Sequence, residues 1–527
     1  MRRLALSLLI TVAALSQPVA AQNRIEAPVP SAADLQAQMA AGTITSVAAT
    51  RAALARIAAM DRQGPTLRAV IAVNPDALAQ AAAADARRKA GRSLGPLDGV
   101  PVLVKDNIET ADPLPTTAGS LALAANVTRR DAPVIARLRA AGAVILAKAN
   151  LSEWANIRSD KAMSGWSAVA GLVRNPYALD RSACGSSSGS GVGVAAGYAP
   201  LAIGTETDGS VVCPSAMNGL VGLKPTMGLV SRTHVVPISH SQDTPGPMAT
   251  NVRDTALLFS AMVGSDPADA ETAGADRYRR DYAANLSPAA LKGVRVAVLR
   301  PEMPAALAER FDAALAVLKR AGAVLVPVEA PSLPNLGALE TAVLQTELKA
   351  DLAAYLATTP AAVKVRTLAD VIAFNKAHAE AEMPFFAQET FEAAEARPPL
   401  TDAAYLDARA ASRQIARAAL DGMLEKAKAV TLVTPTYGMP WLSDPVYGDQ
   451  FQGPSASELP AVSGYPHLTV PMGLARGLPV GLSFIGRPFA DGDLLRAGFA
   501  FEQAAHARVA PRFLPSADVG PGLGGGR

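Results

Sequence analysis

The feature that most constrains the fold is a repeated alternation of short apolar runs with helical patterns. Leu67–Val73, Val100–Val104, Ala143–Ala147, Val294–Leu299, Ala323–Val328 and Val430–Val433 are too short for buried helices and rich in branched side chains. Between them lie stretches with apolar residues at helical spacing. Asp131 and Pro133 open one that carries Val134, Ile135, Leu138 and Ala141 on one face. Near the N-terminus, Ser31–Ala59 reads as two helices broken at Gly42, the second capped by Thr45. Such alternation predicts an α/β fold with a large, mixed, twisted sheet covered by helices on both faces. Residues 337–427 depart from it. They are helical throughout, rich in Ala and charge, and predict a cap-like helical region inside a single domain spanning 22–527. Residues 435–460 hold Pro, Gly, Tyr, Trp and Ser, which suits either a pocket-lining loop or a surface connector.

The first 21 residues form a separate unit. Met1-Arg2-Arg3 is a short positive region, Leu4–Leu15 a largely apolar run, and Val19-Ala20-Ala21 a set of small residues before a cut. This predicts a secretory signal peptide, since the run is shorter than the ~20 apolar residues that span a bilayer. The expected location is periplasmic or extracellular. Losing Arg2 and Arg3 brings the formal charge from +3 close to neutral. That balance gives no electrostatic reason to expect nucleic acid or an anionic membrane as partner. The two cysteines, Cys184 and Cys213, can pair in such a compartment if their geometry fits. Five scattered histidines at non-ligand spacings give no metal pattern, and no cofactor is expected.

Chemistry concentrates in two stretches, Cys184–Gly191 (CGSSSGSG) and Gly204–Ser210 (GTETDGS), joined by a small helix and a short strand. The first can be read as a flexible linker, a phosphate cradle or a nucleophile elbow. Apolar flanks disfavour the linker, and no strand runs into the loop, which weakens the other two. A serine activated by lysine is a fourth reading. Lys105 ends an apolar run, so its stem should be buried, and desolvation would bring its pKa towards neutrality. A single lysine is ordinarily a solvated charge, and Thr207–Ser210 is as readily a turn as an oxyanion hole.

Together these motifs resemble the amidase-signature family. The likeness runs through Gly99-Val100-Pro101, Lys105-Asp106-Asn107, Gly185-Ser186-Ser187, Gly204–Ser210, Gly222–Thr226 and Gly246-Pro247, and returns at Gly464–Pro466, Val470–Gly473 and Gly477–Gly481. It implies a Ser–cisSer–Lys relay with Ser210 as nucleophile, Ser186 as bridge and Lys105 as base. It also implies an oxyanion hole on the backbone of Thr207, Asp208 and Gly209, with Ser187 supporting the network. Asp208 and Ser188 stand where the common pattern has Gly, Glu206 where it has Asp, and Val212 where it has Arg. The stretches Gly204–Pro214, Asn150–Asn156 and Ser241–Thr244 look most like bacterial peptide amidases. The expected substrate is therefore the C-terminal amide of a short peptide. Alternatives are other acyl or aryl amides, the glutamine-amidotransferase component that works on charged tRNA, and a non-catalytic binding protein.

Overall fold

The structure is a computed structural model that describes residues 30–517. The leader read at 1–21 and the Gly-rich tail from 521 lie outside the described residues. Eleven strands form one mixed sheet. They are β1 (Val70–Val73), β2 (Pro101–Lys105), β3 (Val144–Ala149), β4 (Leu201–Glu206), β5 (Val221–Lys224), β6 (Thr244–Ala249), β7 (Arg295–Leu299), β8 (Val324–Val328), β9 (Thr431–Pro435), β10 (His467–Ala475) and β11 (Leu478–Ile485). Their order is β1-β3-β2-β4-β6-β5-β10-β11-β9-β7-β8. β2 runs parallel to both β3 and β4, whereas β4 meets β6 antiparallel.

Because β2 is central, both of its faces are dry, and its sequence is a continuous apolar run rather than an alternating one. Val102 and Val104 join Ile145, Leu201 and Ile203 on one side, against helices 133–140, 252–262, 305–320 and 491–505. Leu103 joins Val144, Leu146 and Ala202 on the other, against helices 46–60, 77–89 and 188–195. The period-2 geometry of a strand thus builds two cores from one run, and helices cover both faces as expected.

The two N-terminal helices are Ala32–Ala40 and Ser46–Met60, and Thr45 caps the second by accepting from Ala48 N at 3.1 Å. The strand expected at 67–73 pairs only from Val70. Thr66 and Arg68 have positive φ, and Asp61 Oδ1 takes the Ala69 N–H at 2.6 Å, so the entry bends away from the ladder.

The helical region of 337–427 resolves into helices 336–356, 368–377, 379–382, 389–395 and 403–427. It has its own core, in which Leu348, Leu352, Leu368, Val371 and Phe391 pack with Trp154. Helix 403–427 does double duty: its C-terminal half, through Leu420, Met423 and Leu424, packs with Ala297 and Leu432 of β7 and β9. Among the described residues no helix is long and apolar enough to cross a membrane.

Candidate active site

Two neighbouring strand ends build the site. Val104 of β2 is in register with Ile203 of β4, so Lys105 arrives beside Thr205 at the carboxyl end of a parallel pair. Lys105 is fully buried. Its Nζ lies 2.7 Å from Ser186 Oγ, 2.8 Å from Thr205 Oγ1 and 3.1 Å from Thr205 O. Three acceptors match the three N–H bonds of an ammonium. In the neutral amine one position becomes a lone pair, and of the two hydroxyls Thr205 is also occupied by Asn107 Nδ2 at 2.9 Å. Burial lowers the Lys105 pKa to about 7, against the opposing pull of Asp243 and Glu206. Asp106, its neighbour in sequence, is instead bound by Lys148 at 3.1 Å in a buried pair.

The serine run does not offer three equivalent hydroxyls. Ser187 Oγ donates to Thr205 O at 3.2 Å, Ser188 Oγ donates to Cys184 O, and only Ser186 reaches Lys105. The peptide bond preceding Ser186 is cis. Ser187 is fully buried and bonded to backbone, which removes the nucleophile-elbow reading. The Ser187 N–H donates to Ser210 O at 3.1 Å, bringing the two serine loops together.

After β4 the chain turns through Thr207, Asp208 and Gly209 to Ser210, then enters helix 212–217. Gly209 has φ +80°, and a Cβ there would overlap the Tyr437 hydroxyl, so this turn needs glycine twice over. Glu206 Oε2 accepts from the N–H groups of Val211 and Val212 at 2.8 and 2.9 Å, anchoring the turn from beneath. The N–H groups of Asp208, Gly209 and Ser210 find no backbone acceptor among the described residues. Asp208 Oδ1 is shielded from solvent without a hydrogen-bond partner. Burial raises the Asp208 pKa, while the nearby Ser457 hydroxyl and Lys224 pull it down. Burial also lowers the Lys224 pKa to about 8, countered by Glu206, Asp491 and Asp208.

Thr207, Asp208 and Ser210 open onto a cavity of about 270 Å³, walled by Asn156, Ile157, Leu344, Tyr437, Trp441 and Phe451. Its lining includes no histidine. Tyr437, Trp441, Asp449 and Phe451 thus bring the 435–460 stretch into the cavity wall. A disulfide joins Cys184 to Cys213, with Cα atoms 5.9 Å apart, linking the loop of Ser186 to the helix after Ser210.

Sequence spacing gave no ligand cluster, yet the fold brings His240, Glu347 and Asp351 together. Glu347 already accepts from Ser241 Oγ at 2.5 Å and Tyr405 OH at 2.7 Å, with Arg409 3.7 Å away, so this is an ion-pair network docking the cap. Sequence reading also missed Thr205, Asn107 and Asp243. All three lie inside motifs already singled out for other reasons, Asp243 within Ser241–Thr244.

Comparison with known proteins agrees with this geometry. The sequence model of the amidase family matches residues 48–495. A probable amidase of Arabidopsis thaliana is 39% identical over 471 residues, covering 86% of each protein. A glutamyl-tRNA(Gln) amidotransferase component of Chloroflexus aurantiacus is 37% identical over 482 residues, 89% of this chain and 95% of that one. The native peptide amidase of Stenotrophomonas maltophilia superposes with a TM-score of 0.87 at 48% identity, over 92% of this chain and all of that one. A peptide amidase in complex with the competitive inhibitor chymostatin gives 0.89 at 48% identity, over 92% and 99%. With its mixed sheet, buried lysine and paired serine loops, the chain belongs to the amidase-signature family and is a serine amidase.

Proposed function

We propose that the protein removes the C-terminal amide of peptides, releasing ammonia and a free carboxylate, with Ser210 as nucleophile, Ser186 as bridge and Lys105 as base. The observation that carries the relay is the 2.7 Å contact between buried Lys105 Nζ and Ser186 Oγ. Ser210 Oγ attacks the carboxamide carbon. Its proton passes to Ser186 Oγ, which gives its own proton to neutral Lys105. The oxygen that becomes negative is held by backbone N–H groups of the Asp208–Ser210 turn. The relay then runs backwards: Lys105 returns a proton through Ser186 to the nitrogen, the C–N bond breaks, and ammonia leaves. Water attacks the Ser210 ester by the same route and restores the free serine.

The substrate reading rests on likeness to the Stenotrophomonas peptide amidase and on a cavity with aromatic walls, Tyr437, Trp441 and Phe451. Those walls suit the residue that carries the amide. The test is ammonia release from peptide amides, free glutamine and asparagine, and simple acyl or aryl amides. Faster turnover of peptide amides is expected, and a preference for simple amides would overturn the substrate reading. Likeness to an amidotransferase component keeps a glutamine-hydrolysing reading in the same panel. We also propose export to the periplasm or beyond, supported by the leader-like start and the Cys184–Cys213 bridge. Cell fractionation tests it, and recovery of full-length chain in the cytosol alone would count against it.

A further inference from the structure

Asp243 touches the oxyanion turn without lining the catalytic cavity. Register explains how. Glu206, the last residue of β4, faces Thr244, the first of β6, so Thr207 and Asp243 face each other one step beyond the ladder. Thr207 Oγ1 donates to Asp243 Oδ1 at 2.6 Å. Asp243 Oδ2 accepts from the N–H groups of Ile238 and Ser239 at 2.8 and 3.0 Å, fixing the carboxylate from behind. Gln242, the preceding residue, reaches Thr207 O through Nε2 at 3.2 Å and is itself held by Glu340 Oε1 at 2.7 Å. Thr207 is thus gripped at its hydroxyl and its carbonyl by consecutive residues. On the other side of β4, at the end of β2, stands Lys105.

We infer that Asp243 is a positioning residue for amide cleavage: its carboxylate, fixed by the N–H groups of Ile238 and Ser239, clamps the Thr207–Ser210 turn through the Thr207 hydroxyl. The inference rests on the proposed roles of Lys105 and Ser210. Two negative groups act on Lys105, Asp243 and Glu206. Glu206 is answered by Lys224 and by two backbone N–H groups. Asp243 is faced by Lys105, by Asp351 from helix 336–356 and by Arg232 from the preceding loop. Burial raises the Asp243 pKa to about 6 against its three hydrogen bonds, which favour the charged carboxylate. Removing that charge makes the lysinium harder to keep, and the neutral base then persists to lower pH.

The test uses a serine-reactive fluorophosphonate, whose labelling rate against pH reads the nucleophile without assuming a substrate. In D243N the limb that rises with pH is expected to move down by roughly one pH unit, as for loss of a nearby opposite charge. The plateau is expected to fall about tenfold or more, because a displaced turn misplaces its donors. T207V removes the donor but keeps the carboxyl group, so its plateau falls while its limb moves less than that of D243N, and T207S keeps both. An unchanged D243N profile, or a T207V limb that moves as far as that of D243N, overturns the inference. Should D243N fail to fold, T207V against T207S carries the test, and equal labelling rates overturn it. Wild-type labelling away from Ser210 would instead strike the relay itself, before any Asp243 variant is measured.

Discussion

Cys184 and Cys213 are bonded across the two loops that present Ser186 and Ser210, so one covalent link spans the seam of the proposed relay. The bond closes a loop of 29 residues in sequence separation, for which chain entropy gives about 3–4 kcal/mol. The C184S/C213S variant should lose stability on that scale in urea and lose turnover as well. Reductant should affect the wild type and leave the variant unchanged. Equal denaturation midpoints would contradict a stabilising bridge.

Activity should rise with pH through about 7. In the proposed relay Lys105 works as a base only when neutral, and burial depresses its pKa to that value, so protonation below it removes the base. K105A should cost orders of magnitude in kcat at every pH. A K105A variant with near-normal turnover would remove the lysine from the reaction.

Gly209 leaves no room for a side chain. G209A should lower kcat about a hundredfold or more, since the displaced N–H groups are those proposed to face the developing negative charge. Adding Y437F takes away the hydroxyl that a new Cβ would meet. Partial recovery is expected in the double variant, incomplete because φ +80° still disfavours alanine. A G209A enzyme with wild-type kinetics would show that the turn does not contribute.

Arg158 ties the stretch around Asn156 to the helical cap. It is buried, pairs with Glu153 at 2.7 Å, donates to Glu382 O, and lies 4.2 Å from the centre of the Phe386 ring. R158A leaves Glu153 buried without its cation, a change worth about 3–5 kcal/mol of stability. Denaturant unfolding measures it. R158A/E153Q should recover part of the loss, and no recovery would mean that packing rather than charge is at stake.

The comparison of sequence with structure turns on how far a partner lies along the chain. β2 was legible because a central parallel strand is apolar on both faces, and Lys105 because it ends that run. Gly209 marked the turn. Ser186 could not be told from Ser187 and Ser188 by local pattern, since the choice depends on which hydroxyl faces Lys105 after the chain folds. Only the family likeness selected it. The contacts of Asp243 and Tyr437 with the turn were not legible for a different reason, although both residues lie in stretches the sequence singles out. They reach the turn because β6 sits between β4 and β5, and because the loop after β9 folds back over the site. No local periodicity encodes a strand order. His240, Glu347 and Asp351 meet across the same kind of distance.

Lys105 has a further consequence for how such an enzyme ages and evolves. In the proposed role its strength as a base comes from dryness, which makes the apolar interior part of the chemistry. Val104 and Ile203 are buried away from the cavity lining, yet any substitution that lets water reach the end of β2 retunes the lysine. Drift in the interior would then register as a displaced working pH well before it registered as loss of fold, and adaptation to acid or alkaline surroundings could proceed through residues that line no part of the cavity.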